Sequence, residues 1–153
     1  MGASGSVDYN TTNNIYISYS DNDSNAELLH NELINSGHNM MTLTLTSFKD
    51  EIGINLDVAA LSLMFQKIMS NSYYIIICIS EKTVTSFRQA IEVHHALNSN
   101  TNIIYVMTDA HYTPLNTPYL NGVVKYNKWL PAYDTETLTA ASDEIDVLLE
   151  IPT

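Results

Sequence analysis

Seven uncharged residues in a row, Tyr73-Tyr-Ile-Ile-Ile-Cys-Ile79, constrain this chain more than any other stretch. A run of that length with three consecutive isoleucines reads as a strand covered on both faces, because no side of it can be left to water. Strands buried on both faces belong to parallel sheets with helices packed above and below. The run ends at Ser80, and a helix signal follows within a few residues. Ser86 and Gln89 have the spacing of a capping box, so a helix is expected from Ser86 to about Leu97. Arg88, the only arginine of the chain, and Glu92 are then one turn apart on that helix, just past the C-terminal end of a core strand. Ligands bind at that end of open α/β sheets.

The rest of the chain alternates in the same way. Ile15-Tyr-Ile-Ser-Tyr19 reads as a first strand, and Ser24 with Glu27 forms a second capping box. The helix they open turns Ala26, Leu29 and Leu33 inward, with Ile34 beside the stripe and Gly37 as the C-terminal stop. Met40-Met-Thr-Leu-Thr-Leu-Thr46 has period two and predicts a second strand. Leu61, Met64, Phe65 and Ile68 mark a helical stripe. Ile103-Ile-Tyr-Val-Met107 predicts a fourth strand and Val123-Val-Lys-Tyr126 a short fifth, with an irregular, Pro-containing segment between them. Leu138, Ala141, Ile145, Leu148 and Leu149 fall on one face of a last helix. This order predicts an α/β fold, flavodoxin-like, with a five-stranded parallel sheet and helices on both faces.

Residues 1–6, Met-Gly-Ala-Ser-Gly-Ser, have the look of an expression scar, and residues 7–153 are expected to form a single domain. Seventeen Asp and Glu against six Lys plus Arg give a net charge of −11. Nucleic-acid binding needs a basic stripe, and this composition argues against it and against anionic membranes. No apolar stretch approaches the ~20 residues of a membrane-spanning helix, so no membrane insertion is expected. The single cysteine, Cys78, lies within the apolar run and is expected to be a buried thiol, which fits a reducing compartment such as the cytoplasm.

Several functions common on such sheets conflict with the residues. A phosphoacceptor receiver needs an aspartate ending the third strand and a lysine ending the fourth, but the strands end at Ser80 and at Thr108-Asp109. A flavin site needs a phosphate loop after the first strand, where this chain has Ser18-Tyr-Ser-Asp-Asn-Asp-Ser24 and no glycine. The five histidines have no metal-ligand spacing with the cysteine, and no metal or bound cofactor is expected.

The motifs, taken in order, resemble the Toll/interleukin-1 receptor (TIR) domain family. Ile15-Tyr-Ile-Ser-Tyr-Ser20 looks like the family's first box, and the loop holding Gly53 looks like its loop before the second helix. Ile79-Ser-Glu-Lys-Thr-Val-Thr-Ser86, with Glu92 six residues on, is similar to the family's run Ser-x-x-Tyr-x-x-Ser-x-Trp-Cys-x-x-Glu. Tyr112-x-Pro114 through Leu120 looks like a eukaryotic-type branch, and the likeness extends from about residue 14 to nearly the end. Arg88 stands at the family's tryptophan position and Gln89 at its cysteine position, while the glutamate is kept.

The resemblance implies an NAD+ nucleosidase in signalling or immune defence, with Glu92 as the catalytic carboxylate and NAD as substrate rather than cofactor. One carboxylate is chemically sufficient. Nicotinamide departs as a neutral ring and needs no general acid, and the oxocarbenium-like ribose left behind is stabilised by a nearby negative charge. Tyr19, Ser20, Phe48 and Arg88 are the expected substrate contacts, Phe48 as a lid and Arg88 for a base or a phosphate. An Arg88–Glu92 surface ion pair of little consequence is the plain alternative. Hydrolysis and cyclisation of the ADP-ribose product both remain open. So does a catalytically silent scaffold that works by homotypic TIR assembly, and so does a nucleoside or nucleotide N-glycosidase. Self-association is expected on either TIR reading.

Overall fold

The structure is a computed structural model that describes residues 14–42, 58–112 and 128–150, with the backbone alone at residues 58, 60 and 61. Among these residues the elements run β1 (Ile15–Ser18), α1 (Ser24–Asn35), β2 (Met40–Met41), α2 (Val58–Asn71), β3 (Tyr74–Ile79), α3 (Phe87–Leu97), β4 (Asn102–Met107), β5 (Trp129–Pro131) and α4 (Thr135–Glu150). A 3-10 turn, Glu81–Thr85, joins β3 to α3.

The five strands pair in the order β2-β1-β3-β4-β5, all parallel. This is the flavodoxin-like order expected from the alternation, with its topological switch between β1 and β3. The apolar run of β3 lies at the centre, and Ile75 through Ile79 are all buried. Alternate residues face opposite layers. Ile76 and Cys78 pack with Ile17, Ile104, Val106 and the inward faces of α1 and α4. Ile75, Ile77 and Ile79 pack with Tyr16, Phe65 and Met69 of α2, and Val93 of α3. The core thus has two halves separated by the sheet.

Local chemistry sets the helix ends. Asp23, and not Ser24, is the N-cap of α1; its Oδ1 accepts the Ala26 N–H at 3.1 Å. Both positions carry capping chemistry, and Asp23 is preferred because Thr108 Oγ1 donates to its Oδ2 at 2.6 Å and fixes the carboxylate. At the other end Gly37 has φ +94°. Its N–H reaches Ile34 O, and that of His38 reaches Leu33 O, closing a Schellman motif in which the positive φ favours glycine.

Two of the expected strands fall wholly or largely outside the described residues. Strand β2 covers Met40–Met41 within the described residues, and the remainder of the expected 40–46 strand lies mostly outside them. The expected strand Val123–Tyr126 also lies outside them, whereas β5 forms at Trp129–Pro131. A proline closing a strand conceals it in sequence, but here Pro131 is on the sheet edge, where no neighbouring strand needs its missing donor.

Candidate functional site

Strand β1 and helix α3 build the candidate site between them. Period-two alternation turns Tyr16 and Ser18 toward the α3 layer. Ser86, extended at φ −88° and ψ 103°, caps α3 by accepting the Gln89 N–H on its side chain at 3.1 Å. The Gln89 side chain does not complete a capping box. Its Nε2 donates instead to Cys78 O at 2.6 Å and Ser18 O at 3.4 Å. Gln89 therefore bridges the ends of β1 and β3, where the strands part at the switch point.

One turn further on, Glu92 is fully buried at 0 % exposure. Its Oε2 accepts a hydrogen bond from the Tyr16 hydroxyl. Its Oε1 accepts from Ser18 Oγ and from Arg88 Nη1, each at 2.9 Å. Arg88 is also buried, at 4 % exposure, and its Nη2 donates to Tyr19 O at 2.7 Å and lies 3.4 Å from Asp21 Oδ1. The pair is thus a buried ion pair, not a surface one. Burial pushes the Glu92 carboxyl up to about 7, against the opposing pull of Arg88 and the two hydroxyl donors.

The candidate residues divide clearly. Arg88, Glu92 and the main chain of Tyr19 come together. The Tyr19 ring turns to the other face of the sheet, where its hydroxyl lies 3.0 Å from His30 Nδ1 and burial pushes it up to about 12. Ser20 is buried beside Ser80, the two hydroxyls 3.5 Å apart, and lines a cleft of about 380 Å³ over the ends of β1 and β3. Arg88, at 4 % exposure, lines the same cleft, and Glu92, at 0 %, does not. Phe48 lies outside the described residues. Tyr16, Ser18 and Gln89 are partners that motif reading passed over. Strict alternation along Ile15–Ser18 was the signal for the first two, since it aims them at the helix that carries Glu92.

A second cleft of about 360 Å³ adjoins the first, over β1, β3 and β4, with Asp23, Lys82, Thr108, Asp109 and His111 among its lining. Burial raises the Asp23 carboxyl, while hydrogen bonds from Thr108 and the Ala26 N–H pull it down. Among the described residues no group of three or more His, Cys, Asp or Glu side chains is placed to hold a metal ion. Nor is any helix there long and apolar enough to cross a membrane. No protein-family model matches the chain, and comparison with curated proteins gave no match.

Proposed function

We propose that the protein is a TIR-type NAD+ nucleosidase that cleaves the bond between nicotinamide and ribose, with Glu92 as its carboxylate. The observation that carries this reading is the buried Glu92–Arg88 pair directly behind the cleft at the ends of β1 and β3. A carboxylate in a dry setting exerts its charge on a developing cation far more strongly than one in water. In the reaction the ribose C1′–N bond breaks and its electron pair goes to the pyridinium nitrogen, which leaves neutral. Ionised Glu92 balances the oxocarbenium character at C1′ until water adds and gives up its proton. Glu92 has no exposed surface and is paired with Arg88, so that pair has to open before a ribose can reach the carboxylate. ADP-ribose is the second product when water adds; a nucleophilic atom of the same molecule adding at C1′ in place of water would give the cyclic form. The lid role of Phe48, the contact role of Ser20 and a setting in signalling or immune defence inside the cell belong to the same proposal.

One observation favours a second reading, that of a silent TIR scaffold acting through other TIR domains. Glu92 is wholly enclosed, and both its oxygens are engaged by Tyr16, Ser18 and Arg88. A single assay separates the two. Concentrated protein is incubated with NAD, and nicotinamide release is followed for the wild type and for Glu92→Gln. The enzyme reading expects release by the wild type and a loss of orders of magnitude in the variant. No release by the wild type, or equal release by both, rejects it. Running the assay over a wide range of protein concentration, beside sedimentation, tests whether assembly is needed.

A further inference from the structure

Tyr16 and Ser18 alternate with Ile17 along β1, so both side chains leave the same face of the strand. Each takes a different oxygen of Glu92. The Tyr16 hydroxyl donates to Oε2, and Ser18 Oγ donates to Oε1 at 2.9 Å. Donors on both oxygens fix the plane of a carboxylate, which a donor on one oxygen does not. Arg88 Nη1 shares Oε1 with Ser18. Both strand residues are buried, Tyr16 at 0 % exposure and Ser18 at 1 %.

The donors are mounted differently. Arg88 belongs to the first turn of α3 and lines the cleft. Tyr16 and Ser18 belong to a strand held on both sides, Tyr16 in register with Met41 of β2 and Ile75 of β3, and Ser18 with Ile77 of β3. Their place does not depend on Arg88. Tyr16 also packs in the apolar half of the core with Phe65, Ile75 and Ile77. Phenylalanine would fill that space without a hydroxyl to satisfy, and here the hydroxyl is spent on Glu92. The charged and titratable groups that face the carboxylate are Tyr16 from β1 and Arg88 from its own helix, with Asp21 behind Arg88. Strand β4 adds Tyr105 to the same half of the core, while α2 and β3 add apolar side chains.

We propose that Tyr16 and Ser18 are positioning residues, whose hydroxyls hold the Glu92 carboxylate charged and in a fixed plane, one oxygen each, once its pair with Arg88 has opened. A buried carboxylate stripped of every donor takes up a proton, and a protonated Glu92 has no charge to set against a cation. With both strand hydroxyls in place, loss of the guanidinium leaves each oxygen still bonded. The contacts that enclose Glu92 are then the ones that keep it ionised. Use of that charge on a ribose rests on the nucleosidase reading; the hold on the carboxylate does not.

The test follows the Glu92 carboxyl of the full chain by carbon NMR of labelled glutamate side chains, its signal identified by its absence from Glu92→Gln. A hydrogen bond to a charged acceptor corresponds to about one to two pH units in the titration of that acceptor. Tyr16→Phe and Ser18→Ala each remove one hydroxyl with little change of shape, and each should move the midpoint upward by about one pH unit or more. Ser18→Ala carries the same test if Tyr16→Phe does not fold. The shift should be at least as large on an Arg88→Met background, where the pair is already lost. A midpoint that stays in place in either folded variant overturns the proposal, because a packing role alone does not alter the charge of the carboxylate. In nicotinamide release, the acid limb of kcat/KM should move up by the same interval, with KM unchanged above both midpoints, since neither hydroxyl has surface to offer NAD. A limb that stays in place while the carboxyl shifts also overturns the positioning role. The NMR readout needs no turnover, so a shifted carboxyl in a protein that releases no nicotinamide keeps the hold on Glu92 and loses only the nucleosidase reading.

Discussion

Replacing Glu92 by glutamine should change how stability depends on pH. The carboxyl is fully buried and titrates at about 7, against an ordinary value of 4.5. Below pH 4.5 it is protonated in both the folded and the unfolded chain and contributes no slope. Between 4.5 and about 7 the unfolded chain gives up the proton and the folded protein keeps it, so unfolding releases a proton and rising pH favours unfolding. At ~1.4 kcal/mol for each pH unit, the interval amounts to a loss of ~3 kcal/mol, complete once pH exceeds the folded value. Glutamine keeps the size and an oxygen for Ser18 and Arg88 but has no proton to lose. The unfolding free energy of the wild type minus that of Glu92→Gln should therefore fall by ~3 kcal/mol from about pH 4.5 to above pH 7. Contributions common to the two proteins cancel in the difference. Urea unfolding followed by circular dichroism at a series of pH values measures it. Parallel stability profiles would refute the claim that Glu92 is a desolvated acid held by Arg88.

The remaining expectations are as follows. If ionised Glu92 is the species that cleaves NAD, kcat/KM rises with pH and levels off above about 7, and a flat profile through that region rejects the role. Gly37→Ala should cost about 1 kcal/mol by thermal or urea unfolding; a Cβ there meets no atom within 4 Å, so the cost is that of the positive φ alone, and an unchanged midpoint counts against the Schellman geometry. Cys78 is fully buried, and burial raises its thiol well above the ordinary value, so a thiol reagent should label it only on unfolding, with rapid native labelling placing β3 elsewhere.

What the sequence determined by itself is what nearest neighbours along the chain decide. Cap residues and glycine act within one turn, so the start of α3 at Ser86 and the stop of α1 at Gly37 were legible as written. The run at residues 73–79 could be buried in only one kind of sheet, and from its alternation with helical stripes came the parallel order around a central β3. The i, i+4 spacing also set Arg88 within reach of Glu92. Depth was not legible, because spacing cannot distinguish a surface ion pair from one sealed under a strand. Tertiary packing alone laid α3 against β1, so that Tyr16 and Ser18, more than seventy residues away in sequence, became the donors to Glu92. It also drew Gln89 out of its local capping box, since its amide reaches instead the carbonyls of Ser18 and Cys78 at the ends of β1 and β3. The Tyr19 ring went to the opposite face for the same reason of sheet geometry: with Tyr16 and Ser18 pointing one way, the next residue points the other, and only its carbonyl remains for Arg88.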